Sequence, residues 1–314
     1  MLSRTADGLF WLARYMERAE SVARILSAGH RMASLTRSLG SSGNEWESTL
    51  AATGCARAYR LKHGAIEQRL VIDFLVRDPD NASSILSCLE TARRNARAAR
   101  TALTVDMWES LNDTWLELRS RSEGELDLRI VEFLEWVKQR SLLFNGAYAN
   151  TMLRNDAFYF TQLGTYLERA DNTARMLDVK YHVLLPGPDG VGGALDHGQW
   201  ESMLRAVSAL RAYHWVYHER LAPWMVADLL ILRPEMPRSL RACFAQITRY
   251  LDLLVAEHGG KRGECHRRAG EIEARLRYGR IDAIFQSGLH EFLTAFIDDT
   301  LLLGRDLAEF YLLG

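Results

Sequence analysis

The side chains best placed to do chemistry are two acid–base doublets, Glu17-Arg18 and Glu168-Arg169, each followed by a second arginine, Arg24 and Arg175. A carboxylate beside a guanidinium can hold a charged ligand or lock two helices together, because arginine's planar fork grips a carboxylate or phosphate at two points. Adjacent residues on a helix point about 100° apart, so Glu17 and Arg18 pair poorly with each other and each needs a partner elsewhere. Two readings follow: salt bridging within the chain, since structural ion-pair networks also gather charge, and a ligand or catalytic site.

Other constellations are weaker. Thr91–Arg100 puts Arg93, Arg97 and Arg100 on one helical face. That is either a solvated face or, with Arg14 and Arg238, an anion site, because three guanidiniums on one face repel one another unless carboxylates or phosphates answer them. His214 and His218 stand four apart, but Glu219 follows them instead of lying between, and no third ligand is in reach, so no metal is expected. Gly-x-Ser-x-Gly is absent. The Gly-rich stretch near residue 190 is no phosphate loop, because no strand precedes it and no Gly-Lys-Ser/Thr follows. Cys55, Cys88, Cys243 and Cys265 have no C-x-x-C spacing and read as buried or idle thiols in a reducing cytoplasm. The sequence names no reaction, catalytic residue or cofactor.

The elements that position the doublets come from a duplication. Residues 9–26 and 160–177 align without a gap, with Leu12/Leu163, Tyr15/Tyr166, Ala19/Ala170, Ala23/Ala174 and Leu26/Leu177 identical beside the charged residues. At 100° per residue the first copy sorts into an apolar face (Leu12, Tyr15, Ala19, Val22, Ala23, Leu26) and a charged one (Arg14, Glu17, Arg18, Glu20, Arg24). Small Ala19/Ala170 and Ala23/Ala174 predict a close helix approach. The first helix is expected to run to about Ser34, capped by Thr5 or Asp7. Each copy is followed by a loop, residues 40–44 and Pro186–Gly193, and then by Trp46-Glu47-Ser48 or Trp200-Glu201-Ser202. The parallel continues through Asp73/Asp228, Pro79/Pro234, Ile85/Leu240 and Cys88/Cys243, with Pro237 read as lying in a first helical turn. No strand alternation is found. The expected fold is all-α: two halves, 1–150 and 151–314, packed about a pseudo-two-fold as one bundle or two apposed ones.

Composition sets bounds. The chain has 314 residues, 48% of them hydrophobic, which gives ample core. Its net charge of −1 supplies no field to recruit nucleic acid or an anionic membrane. No apolar run approaches ~18 residues and no signal pattern opens the chain, so a cytoplasmic location is expected. Oligomeric state is left open, a homo-oligomer included.

The opening Met1-Leu2-Ser3-Arg4-Thr5-Ala6, with Trp11-Leu12-Ala13-Arg14-Tyr15-Met16-Glu17-Arg18-Ala19-Glu20 and its second copy, resembles the bacterial alpha-E domain family over essentially the whole chain. The resemblance implies an all-helical tandem Glu-Arg fold and a setting beside ATP-grasp-type ligases and transglutaminase-like proteins. It also implies a Pro-Arg-Ser element, which only the second half keeps, so any role for that arginine falls to Arg238. Two function classes follow. One is a component of a peptide-modifying, amide-ligating system that binds an acidic or phosphorylated group. The other is a non-catalytic helical scaffold that docks the ligase. The motif itself is expected to form reciprocal pairs, Glu17 with Arg169 or Arg175 and Glu168 with Arg18 or Arg24, if the two motif helices cross.

Overall fold

Two long helices that lack proline carry the two copies of the motif. The computed structural model describes residues 3–38, 45–121, 129–182 and 193–312. The first motif lies in α1 (Ser3–Ser38) and the second in α8 (Asp156–His182). Between them come α2 (Glu45–Ala52), α3 (Ala56–His63), α4 (Gln68–Val76), α5 (Ile85–Ala98), α6 (Val105–Ser120) and α7 (Ile130–Thr151). After α8 follow α9 (Ala194–Ala206), α10 (Leu210–Tyr217), α11 (Pro223–Ile231), α12 (Leu240–Glu257), α13 (Glu264–Tyr278), α14 (Ile281–Ser287) and α15 (Leu289–Leu307). The expectation of an all-α chain holds: among the described residues there is no strand. No described helix is long and apolar enough to cross a membrane.

α1 and α8 lie against each other at the centre. α5 and α7 flank α1, and α12 and α15 flank α8; α2 touches both motif helices, while α9 packs mainly on α1. One continuous set of buried apolar residues runs from Ala6 to Leu312. The contact between the motif helices is made tight by a residue the sequence pattern did not flag. A Cβ on Gly164 would stand 2.2 Å from the Phe10 carbonyl oxygen and 3.2 Å from the Ala13 Cβ. Only glycine lets the two backbones approach this closely. Ala19, Ala23, Ala170 and Ala174 are buried as expected, and so are Leu12, Val22, Leu26, Leu163 and Leu177.

Several local expectations are corrected. α1 begins at Ser3, so neither Thr5 nor Asp7 is its cap, and it extends to Ser38. Tyr15 and Tyr166 are half-buried, because their rings lie beside the Arg18 and Arg169 guanidiniums at 5.3 and 5.4 Å. Trp200 is buried under Lys180, whereas Trp46 is only half-buried. The helix near Met107 is longer than expected. The loops at 40–44 and 186–192 lie outside the described residues.

Pro237 is not in a helical turn. It precedes Ser239, whose hydroxyl caps α12 by accepting from the Ala242 N–H at 3.0 Å. Ser84 caps α5 in the same way, accepting from Ser87 N–H at 3.2 Å. Pro237 and Arg238 therefore sit in the turn ahead of α12, which frees Arg238 to reach back toward α1.

Candidate functional site

The charged face of α1 is turned inward, not toward solvent. With α5, α7, α8 and α9 packed around α1, Glu17 and Glu20 are buried along with the apolar stripe. Charges removed from water must be paired and hydrogen-bonded, and these are.

The pairing is reciprocal. Arg169 donates to Glu17 through Nε (3.0 Å to Oε1) and Nη2 (2.8 Å to Oε2). Arg18 donates to Glu168 through Nε (2.6 Å to Oε1) and Nη2 (3.0 Å to Oε2). Each is a two-point fork, and each crosses between α1 and α8. The later arginines do not cross. Arg24 takes its carboxylate from its own helix, with Nε 2.7 Å from Glu20 Oε1, and Arg175 forks onto Asp171 at 2.8 and 3.1 Å. The cross-helix alternatives, Glu17 with Arg175 and Glu168 with Arg24, are not formed.

Each central carboxylate has a second arginine from a different source. Arg238 Nη1 donates to Glu17 Oε1 at 2.8 Å, and its Nη2 donates to Glu20 Oε1 at 2.6 Å. Glu168 instead receives Arg14 Nε at 2.8 Å on Oε2. Burial alone pushes both carboxyls up. Arg169 and Arg238 outweigh it at Glu17, and Arg18 and Arg14 do so at Glu168, holding each at about 2. Arg18 and Arg169, although buried, are held more firmly protonated than a free arginine by Glu168 and Glu17. Arg24 moves the other way: burial, and then the neighbouring Arg238, disfavour its charge. It is steadied by its bonds to the Ala206 carbonyl (2.8 Å) and the Ser208 hydroxyl (3.0 Å), while Ser141 donates to Glu20 Oε2 at 2.7 Å.

The arginine stripe on α5 does not join this network. Arg93 donates to Asn112 Oδ1 at 3.0 Å and stacks near Trp115, and Arg100 lies over Trp108. Arg97 is exposed. Of the two readings of this stripe, a solvated face or an anion site with Arg14 and Arg238, the placement favours the first: the three face α6 and solvent, because α5 presents its opposite side, with Cys88, Ala92 and Ala96, to the core. Arg14 and Arg238, grouped with them by sequence, belong to the motif network. His214 and His218 do not share a helix face, since α10 ends at Tyr217 and His218 is left-handed at φ 51°.

What the sequence did not reveal is long-range. Arg238 reaches Glu17 across 221 positions, and nothing local foretells it. Glu20 as a buried acceptor had one signal, its alignment with Asp171. The cysteines aligned by the repeat, Cys88 and Cys243, are buried beside Arg18 and Arg169; burial pushes both thiols up to about 12. Neither is a nucleophile at neutral pH.

An opening lies beside the Glu168 half of the network. It holds about 210 Å³ and is lined by Arg14, Arg18, Thr53, Gly54, Ser83, Glu168, Asp171, Asn172 and Arg175, with Val22 and Leu301. Chemically the network can clamp two helices, and at this opening it can present guanidinium N–H groups to a ligand.

A family model described as "A predicted alpha-helical domain with a conserved ER motif" covers residues 1–312. No curated protein and no solved structure matches the chain.

Proposed function

The chain belongs to the Alpha-E family, and from that premise we propose that it is a helical component of a peptide-modifying, amide-ligating system in the bacterial cytoplasm, working beside an ATP-grasp-type ligase. Its part is to dock and organise rather than to catalyse. The observation that carries this reading is the reciprocal fork of Glu17 on Arg169 and Glu168 on Arg18. A catalytic acid or base works best with a pKa near the operating pH. Two carboxylates held at about 2 and saturated with arginine are poor candidates for proton transfer.

The same forks support a duplication packed about a pseudo-two-fold axis, since a contact of that kind is reciprocal by construction. In this reading residues 1–150 and 151–314 are two copies of one unit sharing a core. A second reading, that the chain handles an acidic substrate for the ligase, is favoured by the arginine-lined opening beside Glu168.

Co-purification of the chain with an ATP-grasp-type ligase from the same cells, followed by ATP turnover with and without the chain, tests the proposal. The expected result is co-elution and a ligase rate that rises when the chain is added. Separate elution with an unchanged rate would overturn it.

A further inference from the structure

The two ends of the motif network can be compared position by position, because the repeat fixes the register. Arg238 precedes the α12 cap Ser239, and Ser83 precedes the α5 cap Ser84. Ser83 is thus the counterpart of Arg238. Likewise Cys55 N–H bonds to Leu50 O at 2.9 Å and Ala209 N–H to Leu204 O at 2.7 Å in the same tight turn. The residues before them, Gly54 (φ 69°) and Ser208 (φ 59°), are counterparts in the left-handed region.

At the Glu17 end both positions carry groups that fill the site. Arg238 covers Glu17 and Glu20, and Ser208 accepts from Arg24 Nη1. At the Glu168 end the guanidinium is replaced by Ser83 and the hydroxyl by Gly54, and the opening of about 210 Å³ stands in their place. A Cβ on Gly54 would lie 3.5 Å from Arg175 Nη1, which marks that nitrogen as part of the wall.

The charges around the opening do not balance. Arg14, Arg18 and Arg175 face only Glu168 and Asp171. Both carboxylates are already engaged at each oxygen by Arg14 Nε, the Arg18 fork and the Arg175 fork. Among the described residues, Arg14 Nη1 and Nη2, Arg18 Nη1 and Arg175 Nη1 make no hydrogen bond, and the Ser83 side chain is likewise unengaged. Converging guanidinium donors with one positive charge in excess suit an oxyanion, and the fork geometry suits two of its oxygens. We infer that this opening is a binding site for the carboxylate or phosphate group of a small acidic ligand, gripped by Arg14, Arg18 and Arg175. The inference rests on the second reading above, an acidic substrate at this opening, and its test needs no ligase, so it stands apart from that of the docking role.

Titration calorimetry of the full chain at low ionic strength tests it with two probes, inorganic phosphate and N-acetyl-dialanine, whose single charge is its terminal carboxylate. The C-terminal amide of the same peptide is the neutral control. Binding of at least one anion and none of the amide is expected, and the tighter of the two tells a phosphate source from a carboxylate one. Ser83→Glu places a carboxylate of the chain's own among the three guanidiniums. It is expected to abolish binding and to raise the melting temperature. Arg175→Gln, which removes one donor and leaves the two central forks intact, is expected to weaken binding at least tenfold. Absence of binding by both anions overturns the proposal, as does undiminished binding by a folded Ser83→Glu chain.

Discussion

Glu17 takes its second arginine from a turn 221 positions away; Glu168 takes its own from Arg14, one helical turn before Arg18. Both carboxylates share the cross-helix fork, and both sit at about 2. The surroundings differ. Around Glu17 the space is filled by Arg238 and sealed by Ser208, whereas around Glu168 it is open. The comparison separates two jobs that the Glu-Arg sequence runs together. The fork joins the helices, and the second arginine decides whether the end is plugged or accessible. A buried ion pair adds little net stability over an apolar replacement, because desolvation offsets most of the Coulomb attraction, yet breaking one is costly.

Acid should have the largest effect, because it reaches both ends at once. Each carboxyl is depressed in the folded chain, so the unfolded chain binds more protons in acid. The stability each contributes is full above the ordinary glutamate range near 4.5 and is lost as the pH falls through about 2. For a buried group this is on the order of 3 kcal/mol apiece at neutral pH. Melts from pH 7 to pH 2 should fall steeply below about pH 4.5, and Glu17→Gln should flatten part of that fall. A melting temperature level down to pH 2.5 would break the account.

Single changes at the two ends should then differ in size. Glu17→Gln strands Arg169 and Arg238, whose side chains are 14% and 12% exposed, and should cost about 3–5 kcal/mol. Glu168→Gln strands Arg18 and Arg14, 23% and 11% exposed, and Arg18 in particular borders an opening that water can enter, so its loss should be smaller. Chemical denaturation of the two variants side by side measures the difference, and equal losses would erase the distinction between plugged and open ends.

Gly164→Ala should follow, at about 1–3 kcal/mol, since the added methyl meets the Phe10 carbonyl and the motif helices must move apart. A variant as stable as the parent would mean the helices are not held at that separation.

Much of this was legible in the sequence for a physical reason. A duplicated helix with small residues and paired charges has few ways to bury itself, and a reciprocal pairing followed from that, with Arg169 or Arg175 open to Glu17 and Arg18 or Arg24 open to Glu168; the sequence did not choose between them. The periodicity of residues 9–26 misled on one point. It separates apolar from charged positions, but it cannot say that the charged face is also buried; that depends on α8 and on the turn before α12. Arg238 was legible as a residue and not as a contact, because its partner lies on another helix. The α5 stripe shows the converse: Arg93, Arg97 and Arg100 are aligned by local periodicity, and Asn112, Trp108 and solvent absorb them. Gly164 left no periodic trace, since a glycine in a helix reads as a weak point until its neighbour is known.

The central claim is that Glu17 and Arg169 act as one structural unit, and a double-mutant cycle tests it most directly. Denaturation of Glu17→Gln, Arg169→Met and the pair together should show strong destabilisation by each single change. The double variant should recover much of the loss, with a coupling of about 2 kcal/mol or more, within the range for residues of one network. Additive losses, or single variants that melt like the parent, would contradict the account and leave the doublet a ligand site rather than a lock.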